Sequence, residues 1–276
     1  MAKALQAVNV SFSYNPGRSI IEDINISIDD NEFIAIIGQN GSGKTTLLKN
    51  FTGLLRPSAG EIFLRGSNTR DMSVPAIAAE IGFVMQNPDR QLFAETAAAE
   101  IAFALKNRKL PGDAIACRVK NALDAVGLSG AENAYPPALS RGERAKVVIA
   151  SVLAMEPGII IFDEPAGGQD FNSCRMIMDI AASLHSKGRT IIFVTHNMSM
   201  AAGYARRVIV MDNKRIVMDG TPKEVFCASV EFPHISAPQI TRLSLELKNH
   251  LPLPEPALTV PELGDMLVYA ESRRSV

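Results

Sequence analysis

The sequence contains no tryptophan, and aromatic residues make up only 6% of its 276 positions. Cysteine is scarce too. Cys117, Cys174 and Cys227 lie far apart with no paired spacing, which suggests neither a disulfide framework nor a zinc site. Neither sign of charge is in excess: Lys and Arg number 28 against 29 Asp and Glu, a net charge of −1. That balance argues against binding nucleic acid by bulk electrostatics. The strongest apolar runs, 147–155 and 158–162, are separated by Glu156 and are too short to span a bilayer. The first residues, from Met1 to Gln6, lack the apolar core of a signal peptide. The chain is therefore expected in the cytoplasm, or attached to a membrane from its cytoplasmic side. With 47% hydrophobic and 21% charged residues it has the balance of a globular protein, with enough length to bury a proper core in one large or two small domains.

Short apolar runs alternate with longer helical patterns, which predicts an α/β fold with a mostly parallel sheet. Candidate strands cover 20–28, 33–37, 61–64, 81–84, 159–162, 190–194, 208–211 and 216–218. Segments 33–37 and 159–162 are continuously apolar, as central strands covered on both faces should be. Between 87 and 157 the strand signal disappears, and 95–107, 113–126 and 141–155 read as helices, so a helical insertion is expected there. The stretch after 220 holds seven of the 16 prolines. A central sheet cannot hold that density, so a small helical or irregular C-terminal extension is expected.

The strongest motif is Gly38-Gln39-Asn40-Gly41-Ser42-Gly43-Lys44-Thr45, which matches G-x-x-x-x-G-K-[ST] between an apolar strand and a helical pattern over 46–52. Glycines at 38, 41 and 43 let successive N–H groups face one anion, and the following helix dipole adds to the attraction. Lys44 can reach β- and γ-phosphates, and the Thr45 hydroxyl can ligate Mg²⁺. Ile159-Ile160-Ile161-Phe162-Asp163-Glu164 supplies the acidic counterpart. Asp163 suits a metal-linked role, and Glu164 is placed to polarise an attacking water as general base.

Further motifs follow in one order. Gln86 ends an apolar strand, and Leu139-Ser140-Arg141-Gly142-Glu143 precedes the acidic pair. Gly167-Gly168-Gln169-Asp170 follows that pair, and His196 closes another strand. Together with Tyr14 upstream of the phosphate loop, these segments resemble the ATP-binding cassette (ABC) proteins: Q-loop, signature, D-loop, switch histidine and adenine-stacking ring. No Asn-Lys-x-Asp motif for guanine occurs, and Asn213-Lys214-Arg215-Ile216 does not fit it. The resemblance implies that ATP binds through Gly38, Asn40, Gly41, Ser42, Gly43, Lys44, Thr45 and Thr46, with Tyr14 at the adenine. It implies Mg²⁺ on Thr45, Gln86 and Asp163. It further implies a head-to-tail pair of cassettes in which Ser140, Gly142, Glu143 and Asp170 of one subunit complete the site of the other. Catalysis would involve Glu164, His196, Gln86 and Lys44. Arg141 stands where the family usually has Gly, and Glu143 where it has Gln. This leaves open whether Arg141 points away, pairs with an acidic neighbour or weakens the site.

Two segments narrow the resemblance to energy-coupling-factor (ECF) importers of vitamins or transition-metal ions. They are Gln86-Asn87-Pro88-Asp89-Arg90-Gln91-Leu92-Phe93, and Gly220-Thr221-Pro222-Lys223-Glu224-Val225-Phe226 followed later by Pro238-Gln239-Ile240-Thr241-Arg242-Leu243, the last stretch carrying more weight than the Gly-Thr-Pro start. The expectation is an α/β P-loop NTPase cassette over 1–220, with an antiparallel β subdomain and a helical insertion at about 87–157. A C-terminal extension over 221–276 would help dimerisation through Ile240, Leu243, Leu245, Leu247, Leu263, Met266 and Leu267. The implied partners are a second ATPase subunit, identical or paralogous, a transmembrane coupling protein and a membrane substrate-binding protein, with no nucleic acid. The implied location is peripheral, on the cytoplasmic side of the cell membrane. Asp89, Gln91, Leu92 and Phe93 read as a docking segment with an exposed amide and an apolar Leu-Phe pair, the alternative being that Leu92 and Phe93 anchor the loop in the helical insertion. The alternatives in function are an ATPase of another ABC transporter class and a soluble, non-transport cassette protein of DNA repair or translation.

Overall fold

The computed structural model describes residues 3–165, 171–228, 236–248, 250–251, 253 and 255–272. Strands β1 (Lys3–Asn15), β2 (Arg18–Asp29), β4 (Ala59–Leu64) and β5 (Ser67–Asn68) form an antiparallel sheet in the order β2-β1-β4-β5. A second sheet has the order β10-β9-β3-β8-β7-β6. Its members are β3 (Phe33–Gly38), β6 (Ile81–Val84), β7 (Ile159–Asp163), β8 (Thr190–Val194), β9 (Arg207–Asp212) and β10 (Arg215–Gly220). All its neighbours pair in parallel except β10, which returns antiparallel along β9.

The continuous apolar strands are explained by what each face touches. In β3, Phe33, Ala35 and Ile37 enter one core while Ile34 and Ile36 enter another. In β7, Ile160 and Phe162 divide from Ile159 and Ile161 in the same way. One core lies toward the β subdomain and α1 (Lys44–Phe51), which contributes Leu47, Leu48 and Phe51. The other lies toward the helices. The insertion contributes α3 (Ala97–Asn107), α4 (Gly112–Ala125) and α5 (Arg141–Leu153), with Ile101, Leu105, Leu123 and Val148 buried at helical spacing. Helix α2 (Val74–Glu80) leads into β6. Helices α6 (Phe171–Ser186) and α7 (Met198–Tyr204) each follow a strand of the parallel sheet.

Two features depart from the sequence reading. Strand β1 is absent from the expected set because the register slips between Ala7 and Val10, where Asn9 turns to φ 49. The bulge breaks the alternation that marks a strand. The boundary expected at 220 also cuts through a packed unit. Helix α8 (Pro222–Cys227) places Val225 and Phe226 in the same core as the sheet, and Ala237 joins them. A separate small core begins after that, between α9 (Gln239–Leu247) and α10 (Val260–Ser272). It is built on Leu253, Ala257, Leu263 and Ala270, with Ile240, Leu247, Met266 and Leu267 against it. Lys223 ties the two parts together, with Nζ 2.5 Å from Glu255 and 3.0 Å from Glu262.

Candidate active site

The phosphate loop is dictated by close backbone approach. A Cβ on Gly38 would sit 2.0 Å from the Met211 carbonyl oxygen, and one on Gly43 would sit 2.5 Å from Ile21 and 2.7 Å from the Ile20 carbonyl. Both have positive φ, at 150° and 100°, so only glycine lets β3 turn into α1 here. Lys44 opens α1 and is only 5% exposed. Its Nζ arches back to donate to the carbonyls of Gly38 (2.9 Å) and Gln39 (2.7 Å). Burial lowers its pKa, an effect opposed by the charges of Glu164 and Asp163. Thr46 is buried behind the loop, and Ser42 has a buried Oγ with no hydrogen-bond partner. Asn40, Gly41 and Ser42 line a cavity of about 320 Å³ shared with Glu22 and Lys214.

The C-terminal ends of β6, β7 and β8 lie side by side and together deliver Gln86, the Asp163–Glu164 pair and His196. Asp163 ends β7, 5% exposed, and accepts from Thr45 Oγ1 at 3.1 Å. Glu164 follows in a left-handed conformation, φ 50, with its N–H donating to the Val194 carbonyl. That turn sends its carboxylate toward the neighbouring strand ends. Gln86 Nε2 donates to Glu164 Oε2 at 2.7 Å, and His196 Nε2 stands 2.5 Å from Glu164 Oε1. Both oxygens of the expected general base are thus engaged. His196 is held by neighbours that sequence reasoning missed. The Asn197 N–H donates to Thr195 Oγ1 (3.0 Å), and the Asn197 side chain caps α7 by accepting from the Met200 N–H (3.1 Å). The Asn before an apolar helical stretch was the available signal.

A cavity of about 540 Å³ opens over this cluster, lined by Thr45, Lys49, Gln86, Arg90, Arg141 and Asp163. Arg141 thus borders the phosphate site of its own chain as well as preceding the signature glycine. Ser140 is the N-cap of α5 and forms a capping box with Glu143: its N–H (2.9 Å) and Oγ (2.7 Å) both donate to the Glu143 carboxylate. Those bonds hold the Glu143 carboxyl below the usual range, and the capping box they form is one that Glu and Gln can both make. Gly142 packs against α6, where a Cβ would meet Ser173 Oγ at 3.2 Å. Tyr14 is 56% exposed and rests edge-on against Phe12, ring centroids 4.9 Å apart. Asp170 lies outside the described residues.

Among the described residues no group of three or more His, Cys, Asp or Glu is arranged to hold a metal. The oxygens of Thr45, Asp163 and Gln86 instead offer a partial set. It suits a hard cation that keeps waters and shares phosphate oxygens. Burial pushes the Asp163 carboxyl above its usual range, opposed by the Thr45 hydrogen bond. A raised pKa means that the charged form costs folding stability. The cost is absent below the unfolded pKa of about 4 and grows as pH rises toward the raised folded value. Asp163→Asn keeps the acceptor for Thr45 and removes the charge. It is expected to raise the melting temperature of the nucleotide-free chain by about 2–4 °C at pH 7 and to lose that advantage near pH 4. Thermal melts at the two pH values check this; equal melting at pH 7 would contradict it.

The segment after Gln86 divides the two readings given to it. Gln91 is half-buried: its Oε1 accepts from the Met85 N–H at 2.7 Å and its Nε2 donates to the Phe83 carbonyl at 3.1 Å. It is not an exposed amide but a clip on β6, and Leu92 packs against the main core. Both are anchors. Phe93, by contrast, is 65% exposed and touches Phe103 edge-on, centroids 4.8 Å apart. It borders a groove of about 530 Å³ with Leu92, Tyr135, Pro136, Asp89 and Arg144.

This arrangement is that of a nucleotide-hydrolysing P-loop cassette, and residues 21–167 match the ABC transporter family. The chain belongs to that family. It is 40% identical to the energy-coupling factor transporter ATP-binding protein EcfA2 of Caldanaerobacter subterraneus subsp. tengcongensis, over 99% of both chains. Among solved structures it is similar to cbiO1 from Clostridium perfringens, part of the ABC transporter complex cbiONQ (TM-score 0.78, 34% identity, 91% of this chain and 98% of that one). It is also similar to the ATP-binding cassette MJ0796, a dimer in a post-hydrolysis state bound to ADP and Pi (TM-score 0.72, 26% identity, 79% and 98%). Other ABC transporter ATP-binding relatives, 37–40% identical, are longer, and the chain spans only 42–43% of their length.

Proposed function

We propose that this protein is the ATP-binding and ATP-hydrolysing subunit of an ECF-type importer. It would work from the cytoplasmic face of the membrane and couple hydrolysis to uptake of a vitamin or transition-metal ion. The observation that carries the reading is the cluster Gln86–Glu164–His196 beside Thr45, Asp163 and the phosphate loop, in a chain that matches an ECF ATP-binding protein from end to end. Among the described residues no helix is long and apolar enough to cross a membrane, so membrane subunits would have to supply the translocation path.

ATP phosphates lie against the N–H groups of the loop and the N-terminus of α1. Lys44 Nζ exchanges the carbonyls of Gly38 and Gln39 for β- and γ-phosphate oxygens. Thr45, Asp163 and Gln86 would hold Mg²⁺, which neutralises charge on the phosphates when bound. Glu164, released from Gln86 and His196, accepts the proton of the water that attacks the γ-phosphorus. The bond from that phosphorus to the β,γ-bridging oxygen breaks, giving ADP and phosphate. His196 moves to the γ-phosphate. Ser140 and the start of α5 of a second subunit face the same phosphate, a helix end against an anion. In the C-terminal extension Leu243, Val268 and Tyr269 are exposed, apolar positions available to a second copy of the extension.

The groove beside Phe93 is the docking site for the coupling protein. Phe93→Ala is expected to leave the melting temperature and basal ATPase activity of the isolated subunit unchanged, because the side chain is mostly exposed. The same variant should lose co-purification with the membrane subunits in detergent. Normal assembly of Phe93→Ala would remove the docking assignment. A parent protein that never co-purifies with membrane proteins would favour the soluble class instead.

A further inference from the structure

Three contacts fasten the segment after Gln86 to three different parts of the molecule. Gln91 clips it to β6. Buried Glu100 of α3 accepts from the N–H groups of Phe93 (2.9 Å) and Ala94 (2.8 Å) and so clips it to the insertion. The third contact reaches α5. Arg144 Nε lies 2.7 Å from Asp89 Oδ1, and Arg144 Nη1 donates to the Leu139 carbonyl at 2.6 Å. The Nε–H is not aligned on a hydrogen-bond acceptor, so the Asp89 contact is an ion pair held by position. One guanidinium thus spans the docking segment and the residue immediately before the signature Ser140.

We propose that Arg144 is a positioning residue that couples the docking segment to the signature turn. The inference rests on the docking reading above for its purpose, though not for its geometry. Asp89 sits in the wall of the groove. A displacement of Asp89 moves the guanidinium, and the short bond to Leu139 carries that displacement to the turn that sets Ser140 and the free end of α5. Arg is needed because its planar guanidinium places one nitrogen beside Asp89 while another donates to Leu139; Lys has a single nitrogen at the end of its stem. The three clips differ in what they transmit. The Gln91 clip ends on the backbone of β6 and its extension and the Glu100 clip ends on α3, whereas the Arg144 contact ends on the carbonyl next to the signature serine.

The test is a double-mutant cycle in the full chain without membrane partners: Asp89→Asn, Arg144→Gln and both together. The first readout is amide exchange without nucleotide at Glu143 and Arg144, whose N–H groups donate to Ser140 Oγ (3.3 Å) and the Ser140 carbonyl (2.9 Å). The relay predicts that Asp89→Asn, distant in sequence, speeds exchange at both amides about three- to tenfold, that Arg144→Gln does the same, and that the double variant is no faster than either single. Exchange in β6 and α3 should stay at the parent rate, which a general loosening would not spare. Arg144→Lys, able to keep one contact at a time, should fall between parent and Arg144→Gln. The second readout is ATP-induced dimerisation by light scattering in a Glu164→Gln background, where the same non-additive pattern should appear in the ATP concentration at half-association. Additive losses, or parent-like exchange at Glu143 in Asp89→Asn, would overturn the relay. Failure of the docking reading has a different signature, with membrane assembly indifferent to Phe93 while the cycle remains non-additive.

Discussion

Glu164→Gln is expected to cut ATP turnover by about 10²–10⁴-fold while leaving nucleotide bound. The substitution is nearly neutral for the fold. In the parent, Oε2 of Glu164 accepts from Gln86 and Oε1 meets His196 Nε2. A glutamine can turn its oxygen to the Gln86 amide and keep its other terminal atom against His196, so the shape of the cluster is retained. What is lost is the capacity to take a proton from water. The γ-phosphate bond should then stay intact, and two cassettes should remain associated around ATP, with dimer mass persisting by light scattering long after the parent has returned to monomer. Phosphate release measured against the parent is the primary check. Turnover at the parent rate would remove Glu164 from the general-base role, and rapid turnover combined with a persistent dimer would separate closure from chemistry.

The parts of this site that were legible in the sequence are those whose chemistry is local. The phosphate loop is one continuous segment, and its glycines are dictated by the approach of Met211, Ile20 and Ile21. The acidic pair and His196 were legible because each ends an uninterrupted apolar strand, and uninterrupted strands are interior ones. Parallel neighbours then bring their carboxyl ends together, which is why Gln86, Glu164 and His196 meet despite their separation in sequence. What stayed hidden depends on side chains reaching backbone elsewhere. Nothing in the composition of 86–93 shows that Gln91 folds inward onto Met85 and Phe83 while Phe93 stays out. The Asp89–Arg144 pair joins a loop to a helix across the whole insertion. Strand β1 was concealed by a bulge, and α8 by a Gly-Thr-Pro start that reads equally well as a linker, although its capping box, with Thr221 and Glu224, was present in the sequence.

Lys44→Ala is expected to weaken ATP binding about 100-fold, through loss of the principal cation facing the β- and γ-phosphates. Two charge-assisted hydrogen bonds of about 1.5–3 kcal/mol each set the scale, and 100-fold corresponds to about 2.7 kcal/mol. The fold should be affected far less. Burial lowers the Lys44 pKa, so the charged form is held at a cost to folding, and removing it relieves that cost. Against this, the carbonyls of Gly38 and Gln39 lose their donors. The two effects oppose each other in the nucleotide-free chain, and its melting temperature should move little. The separation appears when ATP is added. Ligand that binds only the folded state stabilises it by RT ln(1 + [ATP]/Kd), so at saturating ATP the parent should gain about 2.7 kcal/mol more than the variant. A titration followed by thermal melts reads both quantities in one preparation. Undiminished affinity in Lys44→Ala would place the phosphates away from this loop. A collapse of the nucleotide-free melting temperature would show that the lysine's bonds to Gly38 and Gln39 hold the loop, with its phosphate contacts secondary.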